Sequence, residues 1–221
     1  MKRIVNQHIT RVMWLVHKAR LPSHMGSYFV TPKPGYISQF IGIYPSSITP
    51  QDSLTNVRHI REFGAKDSAE FTAWAWRDCG IVCVKMILDT KGKAKDRTIM
   101  DLTREGIALN GYVLYENGQL VDRGWFHRAL VDLLQKHGVV ARMRKWQSIE
   151  SVATDILANK LVMLSVSPPS RRSIKEDGSF GGKPNASFGG HLVLAVGVKM
   201  DGKRVEGIYV HDPRGLKKLP G

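Results

Sequence analysis

From Cys79 to Leu88 the chain reads CGIVCVKMIL, with Lys85 the only charge among residues that are otherwise apolar or small. Read as a helix, Ile81, Val82, Val84, Met86, Ile87 and Leu88 wrap most of its circumference. A helix apolar nearly all round must be enclosed by other elements. The rest of the chain has to supply that cover, and 221 residues of which 43% are apolar are enough to do so. One large domain, or one domain with an extension, is the expected organisation.

The covering elements are legible on both sides of this segment. Thr98 to Leu109 predicts a second helix after the solvated loop KGKAKD, and NGY with ENGQ predicts a pair of turns. Trp125 to His137 has helical spacing and stops at Gly138. Beyond that point the pattern changes: VVARMRK alternates as a strand, and Ser148-x-x-Ser151 opens a helix through SIESVATDILANK. LVMLSVS is a strand ended by Pro168 and Pro169, and HLVLAVGVK, the turn MDGK and VEGIYVHD read as an antiparallel hairpin. Helices first and a sheet later predicts the α+β class. Leu21 to Gln51, rich in Pro, Gly and Ser, reads as loop with a short extended piece near Tyr36 to Ile43. Ser170 to Gly190 is polar and Gly-rich, and its length predicts a functional or mobile loop.

Charge is uneven. Lys and Arg number 33 against 19 Asp and Glu, and no acid occurs before Asp52. Such a surface attracts polyanions, whether nucleic acid, anionic lipid or acidic wall polymer, but carries no chemistry of its own. Val5, Ile9, Val12, Met13 and Val16 fall at helical spacing, so residues 4–18 predict an amphipathic helix that docks on the domain or on an anionic surface. The longest apolar run there, Val12 to Val16, is too short for a signal-peptide core or a membrane span, which predicts a soluble, cytoplasmic protein. Two cysteines four residues apart offer neither a disulfide framework nor zinc-ligand spacing.

The chemistry concentrates at Cys79. A thiol at the start of a helix sits near the positive end of the macrodipole and near unpaired N–H groups, a position that favours the thiolate and, with a cation close by, lowers a pKa of about 8.5 to about 3.5–7.5. Gly80 leaves the adjoining backbone open to a substrate. Cys83, one turn deeper in the apolar helix, is assigned to the core. Among eight histidines, His191 opens an apolar strand directly after Gly189 and Gly190, which suits a base, and His211 is its competitor. Asp212 ends the strand paired with His191, so it either orients the imidazole or caps the turn that Pro213 begins.

Taken together, WAWRDCGIVCVKMIL, then GWFHRALVDLLQKHGVVARM with SIESVATDILANKLVMLSVS, then GGHLVLAVGVK with GIYVHDPRG, resemble the papain-fold cysteine peptidases related to the bacteriocin-leader-processing, double-glycine-cleaving peptidases. The resemblance spans roughly residues 66 to 216. It implies Cys79 as nucleophile, His191 as general base and then acid, and Asp212 as the residue that orients the imidazole. It also implies a peptide or protein substrate, no metal or organic cofactor, and a papain-like domain over 29–221, its helical part packed on the C-terminal sheet, preceded by a basic extension over 1–28. The sequence departs from the pattern at one position. The glutamine that commonly stands six residues before the cysteine, where its amide serves the oxyanion hole, is Ala73 here. Gln39 is the nominated replacement, with a Trp indole the weaker substitute. Cleavage of wall cross-links by the same chemistry, and a non-catalytic polyanion-binding module, are the alternative functions.

Overall fold

The computed structural model describes residues 15–43, 52–113, 115–116, 119–120, 122, 124–145, 147–166 and 190–215. It combines helices with antiparallel strands in an α+β arrangement, and the chain divides into two compact units. The larger contains Gly35–Ala141, Met163–Val193 and Asp212–Gly221; the smaller contains Met1–Pro34, Arg142–Val162 and Leu194–His211.

The larger unit is built around the apolar helix. Helix α2 (Val57–Phe63), α3 (Ser68–Ala75), α4 (Cys79–Thr90), α5 (Ile99–Ala108) and α6 (His127–Lys136) follow in chain order, with the two-residue strands β2 (Tyr115–Glu116) and β3 (Gln119–Leu120) between the last two. Helix α4 packs on both α5 and α6, which also pack on each other. Gly80 to Val84 and Met86 to Leu88 are all buried, as the sequence requires. Each large apolar side chain so enclosed contributes about 1.5–3 kcal/mol. The one polar stripe is closed by Lys85 Nζ on Asp89 Oδ1 at 2.6 Å. Local signals set the helix ends: Thr98 and Asp101 form a capping box at the start of α5, and Gly64 ends α2 at φ 83, a left-handed conformation that favours glycine. A Cβ on Gly64 would also stand 2.1 Å from Thr98 Oγ1.

In the smaller unit, helical residues 15–20 (α1) precede β1 (His24–Phe29), and α7 (Ile149–Leu157) packs against β1 and β6. Strand β5 (His191–Gly202) pairs with β1, with β4 (Val162–Val166) and with β6 (Arg204–His211). The β1 register runs from His24 opposite Gly202 to Phe29 opposite Gly197, antiparallel. The β6 register runs from Leu194 opposite His211 to Asp201 opposite Arg204, also antiparallel, with shifts between Ala195 and Gly197 and between Lys199 and Met200. Ser148 caps α7 by accepting from Ser151 N at 3.3 Å, and its Oγ meets His17 Nδ1 at 3.0 Å.

Four expectations change. Leu21 to Gln51 is not loop throughout, because β1 lies within it; four of its six residues are exposed and two half-buried, so no period-two pattern announces it. In place of an extended piece near Tyr36 to Ile43, residues 39–42 form turns and 36–38 have no regular structure. Strand β1 crosses the boundary expected at residue 28 and pairs with β5 along its whole length. VVARMRK is not a strand: residues 139–145 have no regular structure and Val140 is fully exposed. Segment 52–78, to which the sequence reading gave no element, holds α2 and α3, whose 7 and 8 residues are too short for a clear apolar stripe. Most of the expected helix over 4–18, and all but Gly190 of the loop from Ser170, lie outside the described residues. No described helix is long and apolar enough to cross a membrane.

Candidate active site

Three of the candidate residues stand at the ends of regular elements, which is how the fold fixes them: Cys79 is the first residue of α4, His191 the first of β5, and Asp212 the residue after β6. Leu194 opposite His211 brings the start of β5 back to the end of β6. His191, 1% exposed, places Nε2 2.6 Å from Asp212 Oδ1. The same oxygen accepts the Arg214 N–H at 2.9 Å. Burial alone would raise the Asp212 carboxyl, but the hydrogen bond and charge of His191, with the N–H and guanidinium of Arg214, outweigh it and hold the carboxyl below its ordinary value. A carboxylate only accepts, so Nε2 carries a proton, which in the neutral imidazole makes Nδ1 the lone pair. That Nδ1 is buried and makes no hydrogen bond.

The turn that carries Asp212 is strapped from upstream. Gly215 N donates to Asp212 O at 2.9 Å to close the turn, the Tyr36 hydroxyl donates to the same carbonyl at 3.0 Å, and Gln39 N donates to Pro213 O at 2.9 Å. Asp212 therefore both orients the imidazole and sits in the turn, which reconciles the two roles open from the sequence.

Cys79 is half-buried, and Cys83 is fully buried with its sulfur 3.7 Å from the Leu192 carbonyl. Leu192, the neighbour of His191, thus lies against α4 one turn below the nucleophile candidate. Gly80 makes this approach possible: a Cβ there would stand 2.9 Å from Leu192 Cδ1 and 3.0 Å from Leu130 Cδ1. Its job is close packing of helix on strand, not an opening for substrate.

The expected low pKa at Cys79 is overturned. Burial pushes the thiol up, and the Leu192 N–H, the Arg214 guanidinium and the Gly80 N–H only partly offset it; Asp78 would add to the rise in its ionised form. The favourable field of the helix end is present, but desolvation of a sulfur set among apolar neighbours exceeds it. Cys83 is pushed up further, again by burial first.

Gln39 is completely buried and its Nε2 donates to Ala75 O at 2.6 Å. The residue thereby joins the end of α3, four residues before Cys79, to the Asp212 turn. One amide hydrogen is committed to that carbonyl; an amide nitrogen carries two. Next to it the Phe40 ring meets Trp76 edge-on at 4.8 Å. His211, the competing base, is pushed down by burial and by Lys33, and it is His191 that Asp212 holds. Of the other histidines, His137 is bound to Glu105 at 3.0 Å and His17 to Ser148.

Residues that the sequence reading passed over also belong here. Arg214 brings a cation to both Cys79 and Asp212, and Asp78 is wholly buried directly before the thiol. Their signal was only adjacency, two residues after Asp212 and one before Cys79. Among the described residues, no group of three or more His, Cys, Asp or Glu could hold a metal ion. No protein-family model, curated protein or solved structure matches the chain, so the functional reading rests on the site itself.

Proposed function

We propose that this chain is a cysteine peptidase of papain-like organisation, similar to the double-glycine-cleaving leader peptidases, acting through Cys79, His191 and Asp212. The observation that carries the reading is the His191–Asp212 hydrogen bond of 2.6 Å, which leaves a buried Nδ1 open on the residue next to Leu192, while Leu192 lies against the helix that Cys79 begins. A lone buried cysteine is ordinary core. A cysteine at a helix start, beside a strand that begins with a carboxylate-oriented imidazole, is a nucleophile with its base.

Because burial raises the thiol, its deprotonation accompanies attack. Cys79 gives its proton to His191 Nδ1 as the sulfur adds to the peptide carbonyl. Asp212 stabilises the imidazolium so formed. His191 then passes the proton to the departing amine, and the C–N bond breaks to leave an acyl thioester. Water, losing a proton to His191, attacks the thioester; the proton returns to sulfur as the carboxylic acid product leaves. The N–H groups of the first turn of α4, which have no intrahelical acceptor, are placed to receive the oxyanion. The second Nε2 hydrogen of Gln39 is the candidate for the other donor.

The test is incubation with a peptide mixture that includes glycine-rich leader-like and cross-linked wall peptides, products being read by mass spectrometry. Expected is cleavage by the parent and none by Cys79→Ala. Cleavage by Cys79→Ala at the parent's rate would refute the proposal, and the peptide class cleaved separates leader processing from wall hydrolysis. A non-catalytic polyanion-binding module is the second reading, favoured by the smaller unit's 13 Lys and Arg against 4 Asp and Glu.

A further inference from the structure

Most of the helices start in a conventional way. Asn56 accepts from Arg58 N and His59 N, Asp67 from Glu70 N, Thr98 from Asp101 N and Ser148 from Ser151 N, so α2, α3, α5 and α7 each have a side-chain cap. Helix α4 is preceded by Asp78, a residue as well suited to capping as any of these. Yet Asp78 makes no capping bond. Its side chain turns inward, fully buried, with Oδ2 2.7 Å from Thr103 Oγ1 on α5, while Oδ1 makes no hydrogen bond.

Thr103 Oγ1 is also 3.0 Å from the Ile99 carbonyl. A hydroxyl has one proton and cannot donate to both. If Asp78 is ionised, one of these contacts sets lone pair against lone pair. If Asp78 is protonated, its O–H donates to Thr103 Oγ1, the Thr103 O–H donates to Ile99 O, and both contacts are bonds. The cation that could compensate an ionised Asp78 is committed elsewhere: Arg77 Nε is 3.0 Å from Asp122 Oδ2 and its Nη1 donates to Ala73 O at 2.6 Å. The other titratable neighbours are Cys79, beside it in the chain, and Tyr112, whose hydroxyl is on Asp122. A wholly buried carboxylate whose side-chain partners, Thr103 and the Trp125 indole, are both neutral is strongly disfavoured. Consistently, burial pushes the Asp78 carboxyl well above the usual carboxylate range against the pull of Thr103, the Trp125 indole and the Arg77 charge.

We infer that Asp78 is a positioning residue held as a neutral acid: by donating to Thr103 it anchors the α3–α4 junction on α5, and leaves the first-turn N–H groups of α4 to the Cys79 sulfur and to the oxyanion of a bound substrate. An ionised Asp78 in the usual capping pose would occupy those N–H groups and place a negative charge beside the thiol, which opposes thiolate formation. The oxyanion part rests on the peptidase reading; the protonation state and its effect on the thiol do not.

Two measurements on the full chain test it. The first is carbon-13 NMR of labelled aspartate carboxyls against pH, the Asp78 resonance being identified by its loss in Asp78→Asn or its displacement in Thr103→Val. It is expected to remain in the protonated position through neutral pH. The second is the residue-resolved alkylation rate of Cys79 against pH, with Cys83 as the buried comparison. Asp78→Asn, neutral and still a donor to Thr103, is expected to keep the parent's profile. Thr103→Val, which removes the inward partner and lets the carboxyl turn outward to the α4 N–H groups, where it ionises, is expected to move the profile up by about one pH unit, or roughly tenfold slower at fixed pH. An Asp78 carboxyl that titrates in the ordinary range, or an Asp78→Asn profile displaced to lower pH, overturns the inference. Should Asp78→Asn fail to fold, the parent's carboxyl titration decides alone. Absence of peptide cleavage would sink the peptidase proposal and leave both readouts intact.

Discussion

The two units of this chain use charge in opposite ways. The larger carries 20 Lys and Arg against 15 Asp and Glu, and those that matter to the site are placed singly: Asp78 buried on Thr103, Asp212 on His191, Arg214 near both Asp212 and the thiol. The smaller carries 13 against 4. Three of its four acids serve internal pairs: Asp155 bonds to Arg144 and Lys160, Glu206 to Lys199 and Arg204, and Asp201 to Arg204. That leaves the unit with a large excess of bases over acids. A few charges fixed in low dielectric decide chemistry, whereas an exposed excess decides which molecules approach and is screened by salt.

The sharpest way to separate the two is to remove the proposed nucleophile. Cys79→Ala is expected to abolish peptide cleavage, a loss of about 10⁴-fold or more, and to leave binding of a polyanion unchanged. Equal loss of both would mean that the units do not divide the labour. Asp212→Asn comes next: the amide can donate to the imidazole and select the wrong tautomer, so kcat is expected to fall roughly 10²- to 10⁴-fold with little change in KM. An unchanged kcat would show that Asp212 merely closes its turn. Gln39→Leu is expected to cost about 10²- to 10³-fold in kcat if its second amide hydrogen meets the oxyanion, and to lower Tm as well, since it leaves the Ala75 carbonyl and the buried junction unpaired. A fall in Tm with kcat preserved would assign Gln39 to structure alone.

What could be read in advance follows the range of the interaction. Helix α4 and the β5–β6 hairpin were legible because an apolar circumference and an apolar run followed by a turn are local patterns, and the hairpin allowed His191 and Asp212 to be close while leaving His211 and a capping role open. Strand β1 was not, because an edge strand with Met25 71% exposed carries no alternation and exists through its pairing with residues more than 160 positions away. The site shows the same limit. That Cys79 begins a helix is local; that burial outweighs the helix field depends on Leu192 and its neighbours, which reach α4 only in the fold. Gln39 was nominated for its chemistry, but its tie to Ala75 and Pro213 is a long-range fact. That Asp78 turns inward could not be read in advance, since Thr103 is reached only when α5 packs on α4.

The pH response of the larger unit is a smaller effect with a definite sign. Asp212 has a folded pKa below its ordinary value, so it contributes stability above the unfolded carboxylate pKa and loses that contribution as pH falls through the depressed value. Cys79 and Cys83 have folded pKa values raised by burial, so the unfolded chain releases these protons first and stability falls once pH rises above the unfolded thiol value. Thermal unfolding against pH is therefore expected to show an alkaline decline that Cys83→Ala makes shallower. A decline identical in parent and variant would assign it to other groups.

The smallest expected effects are on the basic unit, and they sharpen the contrast because each is a fraction of a collective term. If the excess acts as a surface toward a polyanion, log K for a single-stranded oligonucleotide should fall linearly with log salt, and each lost phosphate contact should reduce the slope by roughly 0.7. Arg142 is the informative position: it is exposed and adds to the repulsion on Arg144, which is itself engaged with Asp155. Arg142→Ala should reduce the slope by about one contact, weaken all sequences alike and leave peptide cleavage as it was. Arg144→Ala removes a structural pair as well, so its effect on Tm should exceed that of Arg142→Ala even where their salt slopes agree. Binding that ignores salt would take the polyanion role from this unit and leave its charge as a solvated surface.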